Sequence, residues 1–184
     1  FDRDKVIDAA MHLLWDHGPG VLSINQLCSE LGVSKPGLYR EFGGEDALLA
    51  AALERYYTVR IEPLMTQLCQ IRPLGITAAA LADWLVAPSA FPAGCLFAKS
   101  RSVLKPLGVE ATHRIQVMRT KQIEVLSAWL TTLQSAGEMR ADLDPVLTAR
   151  YVDTQITALL MLVARGEAED SIRAQTALAL AGLE

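Results

Sequence analysis

The sequence predicts an all-α fold in which an N-terminal three-helix helix-turn-helix domain, residues 1–46, is joined by a long helix to a C-terminal helical domain, residues 47–184. Three observations predict it. Apolar residues recur at the i, i+3, i+4, i+7 spacing of an amphipathic helix in segment after segment. Proline and glycine interrupt those segments at Gly18-Pro19-Gly20, Pro73-Leu74-Gly75, Pro88, Pro92 and Pro106-Leu107-Gly108, and no strand-like alternation competes. Residues 23–42, SINQLCSELGVSKPGLYREF, hold two short helical patterns that meet across Gly32-Val33.

The first helix has Val6, Ile7, Ala10, Leu13 and Leu14 as its core face and ends at Gly18, with His17 near its carboxyl end, where a cation is favoured. Ser23 stands where the second helix needs an N-cap, and Ile24, Leu27, Cys28 and Leu31 form that helix's apolar stripe. Gly32 can take the left-handed conformation that stops a helix, and Val33 can pin the turn. Ser34 then caps a third helix that tolerates Pro36 in its first turn and buries Leu38 and Phe42, leaving Lys35, Gly37, Tyr39 and Arg40 to face outward.

Those outward residues suit a DNA groove. Lys35 and Arg40 can neutralise phosphates or reach guanine edges, the Tyr39 hydroxyl can donate to a phosphate, and Gly37 leaves room for close approach. Serine hydroxyls and helix N-termini add donors for phosphate oxygens, so the candidate DNA-facing set is Ser23, Asn25, Ser34, Lys35, Pro36, Gly37, Tyr39 and Arg40. The same spacing also fits a helical hairpin with an ordinary solvated face.

VIDAAMHLLWDHG at 6–18, the hairpin, and GLYREFGGEDALLAAALERYY at 37–57 together resemble the DNA-binding domain of the TetR family of bacterial regulators. The most specific piece is GVSKPGLYREF at 32–42 followed by an apolar helix; GCLF at 94–97 and AGEMRADLDP at 136–145 resemble the family's regulatory domain more loosely. The resemblance implies an all-helical homodimeric repressor whose C-terminal domain binds a small molecule and dimerises. Its partners are then a palindromic double-stranded DNA operator, a small-molecule effector of largely apolar character, and a second copy of the chain. Two features depart from the family. Where the family usually has a phosphate-binding lysine at the start of the fourth helix, this chain has Glu45, followed by Asp46. Residues 1–46 also carry four basic side chains (Arg3, Lys5, Lys35, Arg40) against eight acidic ones (Asp2, Asp4, Asp8, Asp16, Glu30, Glu41, Glu45, Asp46). A net acidic domain lacks the broad electrostatic footprint of most DNA binders, so local contacts must supply more. The chain opens at Phe1 without an initiator methionine, and a preceding basic arm is expected to compensate.

From Asp46 the fourth helix runs through Leu48, Leu49, Ala52 and Tyr56 towards Pro63, and further helices are expected over 76–87, 93–104 and 109–136. The long helix places Ile115, Met118, Gln122, Val125, Leu126, Trp129, Leu130 and Leu133 on one face, with Gln122 as a buried amide that needs a partner. Core packing satisfies such a pattern; so does an apolar pocket with a few placed polar groups. The candidate ligand-lining residues are Met65, Trp84, Phe91, Cys95, Phe97, Met118, Gln122, Trp129 and Gln155. The last two helices, 145–165 and 169–183, begin with an Asp144 cap and Pro145. Val152, Ile156, Leu159, Leu160 and Val163 make one apolar stripe, Tyr151, Ala158, Met161 and Leu162 extend beyond it, and SIRAQTALALAGL supplies small residues for close approach. Val152, Ile156, Leu159, Leu160, Val163, Ala174, Ala177, Leu178 and Ala181 are the expected dimer interface.

Composition narrows the alternatives. The net charge of −4 equals that of residues 1–46, so the remainder is balanced and offers nothing to a polyanion. The longest apolar run, ITALLMLVA at 156–164, covers less than half a bilayer, and no secretory signal is visible, so no membrane partner is expected. Three cysteines, Cys28, Cys69 and Cys95, without paired spacing fit a reducing cytoplasm. The histidines His12, His17 and His113 lack ligand spacing, so no metal or cofactor is expected. A catalytic pairing of Cys95 with His113 lacks a third group, and no enzyme is expected. The alternative from another class is a helical dimeric module that binds a small molecule or protein and has lost operator recognition.

Overall fold

The computed structural model describes residues 2–70, 73–87, 94–101, 103 and 107–184, and among these every regular element is helical. The chain forms two compact units. The first comprises residues 1–61 and 96–118, the second 62–95 and 119–184.

In the first unit, α1 (Arg3–His17) is capped by Asp2, whose carboxylate accepts from the Lys5 amide at 3.2 Å. It buries Val6, Ile7, Ala10, Met11, Leu14 and Trp15. Leu13, expected in that face, is only half-buried, while Met11 and Trp15 complete it. Then come α2 (Ile24–Glu30), α3 (Lys35–Phe42) and α4 (Glu45–Tyr56). α4 lies along α1 and buries Leu48, Leu49, Ala50, Ala52, Leu53 and Tyr56. That packing carries the unit to Ile61, well past the expected boundary between residues 46 and 47. An aromatic cluster closes the core: Trp15 meets Tyr56 edge-on at 5.2 Å between ring centroids, and Phe97 lies 6.3 Å from Tyr56 and 6.2 Å from Tyr57. Phe97 belongs to α7 (Leu96–Arg101), which packs on α1 and α4.

Pro63 does not end the fourth helix as expected. The chain passes through a π turn over Tyr57–Ile61 and resumes as α5 (Glu62–Leu68), with Pro63 in the first turn. The wider turn directly ahead of it relieves the clash a proline makes with the preceding turn of a continuous helix.

In the second unit, α6 (Leu74–Val86) packs with α9 (Pro145–Ala164) and α10 (Glu169–Ala181), and α5 joins α6. The long α8 (Val109–Ser135) begins in the first unit and, after Met118, contributes Ile123, Leu126, Trp129, Leu130 and Leu133 as buried residues of the second. Gln122 is half-buried, so the amide expected to need an internal partner is not sealed from solvent. Gly137 ends α8 with φ +75°, and the amides of Gly137 and Glu138 return to the carbonyls of Gln134 and Leu133, a Schellman closure. Asp144 caps α9 as expected, accepting from the Leu147 amide at 2.7 Å. Among the described residues α9 is the one helix long and apolar enough to cross a membrane, although its uninterrupted apolar run is short; its apolar stripe is used against α6 and α10.

That stripe corrects one expectation. Val152, Ile156, Leu159 and Leu160 are all buried within the single chain, so they cannot form the outer surface of a dimer. α9 is apolar on two sides, and the inner side is the one that meets α6 and α10. Val163 is half-buried, whereas Ala174, Ala177, Leu178 and Ala181 are exposed on α10.

Candidate nucleic-acid interface

The hairpin is built from local hydrogen bonds. The Ser23 hydroxyl accepts from the Gln26 amide at 3.3 Å, while the Gln26 side chain accepts from the Ser23 amide at 2.9 Å, a reciprocal capping box that starts α2. α2 stops in a second Schellman closure. Gly32 takes φ +64°, its amide reaches the Ser29 carbonyl at 3.2 Å, and the Val33 amide reaches the Cys28 carbonyl at 3.0 Å. Leu27 and Cys28 are buried; Ile24 and Leu31 are half-buried.

α3 begins at the Ser34 cap and turns Leu38 and Phe42 inward, with Leu38 fully buried. Lys35, Pro36, Tyr39 and Arg40 are exposed, as are Ser23, Asn25 and Ser34. Gly37 is the exception: it is buried, not outward. Its amide donates to the Ser34 Oγ at 3.1 Å, and a Cβ on it would stand 2.9 Å from that oxygen. The glycine therefore admits the cap of α3, and its role lies on the inner side of the helix. At the other end, the Tyr39 ring lies over Gly44, 3.7 Å from where a Cβ would be, and the Arg3 guanidinium sits 4.8 Å above the Phe42 ring.

The charges around α3 are less adverse than their count. Asp2 pairs with Lys5, and Asp4 and Asp8 both pair with Arg55. Asp46 is turned to other use: its carboxylate accepts from the Glu110 amide at 2.8 Å and the Ala111 amide at 3.2 Å. Glu45 is exposed and makes no hydrogen bond or ion pair among the described residues. Arg40 donates to Glu41 at 3.1 Å. The sequence reading missed the Asp46 contact. Its only trace is that α8 starts after Gly108, a residue with no side chain to cap it.

The ligand-lining candidates divide between the units. Met65, Trp84, Cys95, Gln122, Trp129 and Gln155 lie in the second, Phe97 and Met118 in the first, and Phe91 falls outside the described residues. Phe97 is committed to the aromatic cluster. Gln155 lines an open groove of about 170 Å³ between α9 and α10, with Tyr151, Leu162, Leu178 and Ala179. Met65 and Trp129 are buried, and the Trp129 Nε1–H finds no acceptor among the described residues. Burial pushes the Cys69 thiol up to about 11, which keeps it protonated at neutral pH. Cys95 is buried in the second unit and His113 is exposed in the first.

Residues 6–52 match the family model described as bacterial regulatory proteins, tetR family. Over 173 residues the chain is 28% identical to the HTH-type transcriptional repressor ComR of Escherichia coli, an alignment covering 90% of this chain and 81% of that protein. The fold is similar to that of the TetR family transcriptional regulator CifR, solved as a cysteine mutant with 26-base-pair operator DNA: TM-score 0.84, 21% identity, 100% of this chain and 97% of that one. FadR from Bacillus subtilis in complex with stearoyl-CoA is similar in fold at a TM-score of 0.75 and 15% identity, over 100% of both chains.

Proposed function

We propose that the chain, whose residues 6–52 match the TetR family of bacterial regulators, is a ligand-responsive repressor that binds a palindromic operator as a homodimer in the cytoplasm and is released by a small molecule. The observation that carries the reading is the division of α3: Leu38 and Phe42 anchor it, while Lys35, Tyr39 and Arg40 stand free of the core for a major groove. A repressor relative and a similar fold solved on operator DNA support it.

The effector is a largely apolar small molecule held in the second unit. Buried Met65 and Trp129 supply apolar wall, and the unmatched Trp129 N–H supplies a donor for an effector oxygen. The similar fold of FadR was solved in complex with stearoyl-CoA, whose acyl chain is a long apolar group, which supports an apolar portion in the effector. Dimerisation uses the exposed faces of α9 and α10, where Tyr151, Leu178 and the small residues Ala174, Ala177 and Ala181 lie outward.

The test is binding of a palindromic duplex from the gene's own promoter region, measured across salt concentrations. Salt-dependent binding that Tyr39→Ala weakens roughly tenfold or more supports the reading. Absence of binding by the wild type favours the second reading, a dimeric small-molecule or protein binding module, which the exposed, unpaired Glu45 at the start of α4 supports. Equal effector affinities with and without operator would sink the switch while leaving DNA binding intact.

A further inference from the structure

We propose that Asp46 is the positioning residue that couples the DNA-reading hairpin to α8, and through α8 to the effector-binding unit; this rests on the operator and effector reading above.

Gly108 stands at the N-cap position of α8, its carbonyl accepting from the Thr112 amide at 3.0 Å, and it has no side-chain acceptor to offer the first turn. Asp46, 64 residues earlier than Glu110 in the chain, supplies one: its two carboxylate oxygens take the Glu110 and Ala111 amides, the pair that a good N-cap would serve. Its negative charge also meets the positive end of a 27-residue helix. The fit is close, because a Cβ on Gly108 would overlap the Asp46 carboxyl group.

Position gives the contact its consequence. Asp46 is the second residue of α4, separated from the end of α3 only by Gly43, Gly44 and Glu45. The other end of the contact is the first turn of a helix whose later residues, from Arg119, belong to the second unit. The 96–118 segment is tied to the hairpin domain at a second point as well: the Lys99 ammonium donates to the carbonyls of Trp15 and Asp16 at the carboxyl end of α1. A shift of α8 along or about its axis must therefore break the two Asp46 bonds or carry α4 with it. Either outcome changes how α3 is held. A hydrogen-bonded clamp of this kind can be made or broken, and a switch would bias that choice.

By reciprocity, operator binding must alter the second unit if an effector there alters operator binding. This allows a test without the effector. A duplex selected from random sequence by the wild-type protein serves as probe, and amide hydrogen exchange is followed in residues 119–135 with and without it. The wild type is expected to change its exchange there on binding. In Asp46→Ala and in Gly108→Ala, the Glu110 and Ala111 amides are expected to exchange roughly fivefold faster, the fold-change of one lost cap, and the response in 119–135 to disappear although the duplex still binds. Asp46→Asn keeps one acceptor oxygen and sets an NH2 against the other amide, so it is expected to protect one of the two amides and restore only part of the response. A response that persists in both disrupted variants while their two amides are deprotected overturns the coupling, as does a wild type with no response. Failure to select any duplex removes the operator reading itself, and the coupling with it.

Discussion

The Arg40 Nε donates to the Glu41 carboxylate at 3.1 Å on the exposed side of α3. Neighbours in a helix point about 100° apart, so this pairing draws the long arginine sideways along the surface of α3. Exposed pairs contribute roughly 0–1 kcal/mol, little enough for a phosphate to displace Glu41. Releasing Arg40 in advance should help. Glu41→Gln is expected to raise duplex affinity roughly threefold to tenfold at low salt, with the gain shrinking as salt rises. Titration by fluorescence anisotropy at two salt concentrations measures it; weaker binding would mean that Glu41 aligns Arg40 for the groove.

Gly37 acts from inside the helix, and its substitution should show it. In Gly37→Ala the new methyl stands 2.9 Å from the Ser34 Oγ, so the cap must open or the first turn must shift. A lost cap costs about 1 kcal/mol, enough to lower the melting temperature by roughly 2–4 °C in a chain of this size. Steric origin predicts non-additivity: once Ser34→Ala has removed the oxygen, Gly37→Ala should cost markedly less. Equal costs in both backgrounds would place the damage elsewhere.

Much of this fold is readable because its signals are local. Ser23, Gly32, Ser34 and the Asp144-Pro145 pair act within a few residues of themselves, and the apolar spacing of Leu27, Cys28, Leu38 and Phe42 fixes which sides of α2 and α3 turn inward. What sequence reading misses is set by distant chain. Asp46 reads as an ordinary first-turn acid until α8 is brought against it. Val152 and Tyr151 are both apolar residues of a helix that is apolar on two sides, and only the arrival of α6 and α10 decides which side is core. Pro63 reads as a stop because the π turn that admits it has no sequence signature.

Glu45 is the exposed acid at the amino end of α4, where its carboxylate favours the helix dipole but faces any phosphate that approaches. Glu45→Lys is expected to strengthen binding to all duplex sequences alike and to steepen the salt dependence by about one unit of slope. The effect should be separable from Asp46, which is held by α8 and should keep its two amide bonds in this variant. An unchanged slope would show that position 45 does not meet the backbone.

The corrected division of α9 and α10 predicts opposite outcomes for two substitutions. Leu178 is 76% exposed on α10, whereas Val152 is 1% exposed on the inner side of α9. A charge at Leu178 meets water in the monomer and a desolvated neighbour in a dimer. Leu178→Glu is therefore expected to give a monomer that keeps its helical circular dichroism and melting behaviour but binds a palindromic duplex far more weakly, because two hairpins no longer arrive together. Val152→Asp would bury an unpaired carboxylate within the chain itself, a change expected to cost roughly 3 kcal/mol or more and to unfold the second unit. Sedimentation and thermal melts on both variants distinguish the cases. A Leu178→Glu protein that remains dimeric would move the interface off this face of α10.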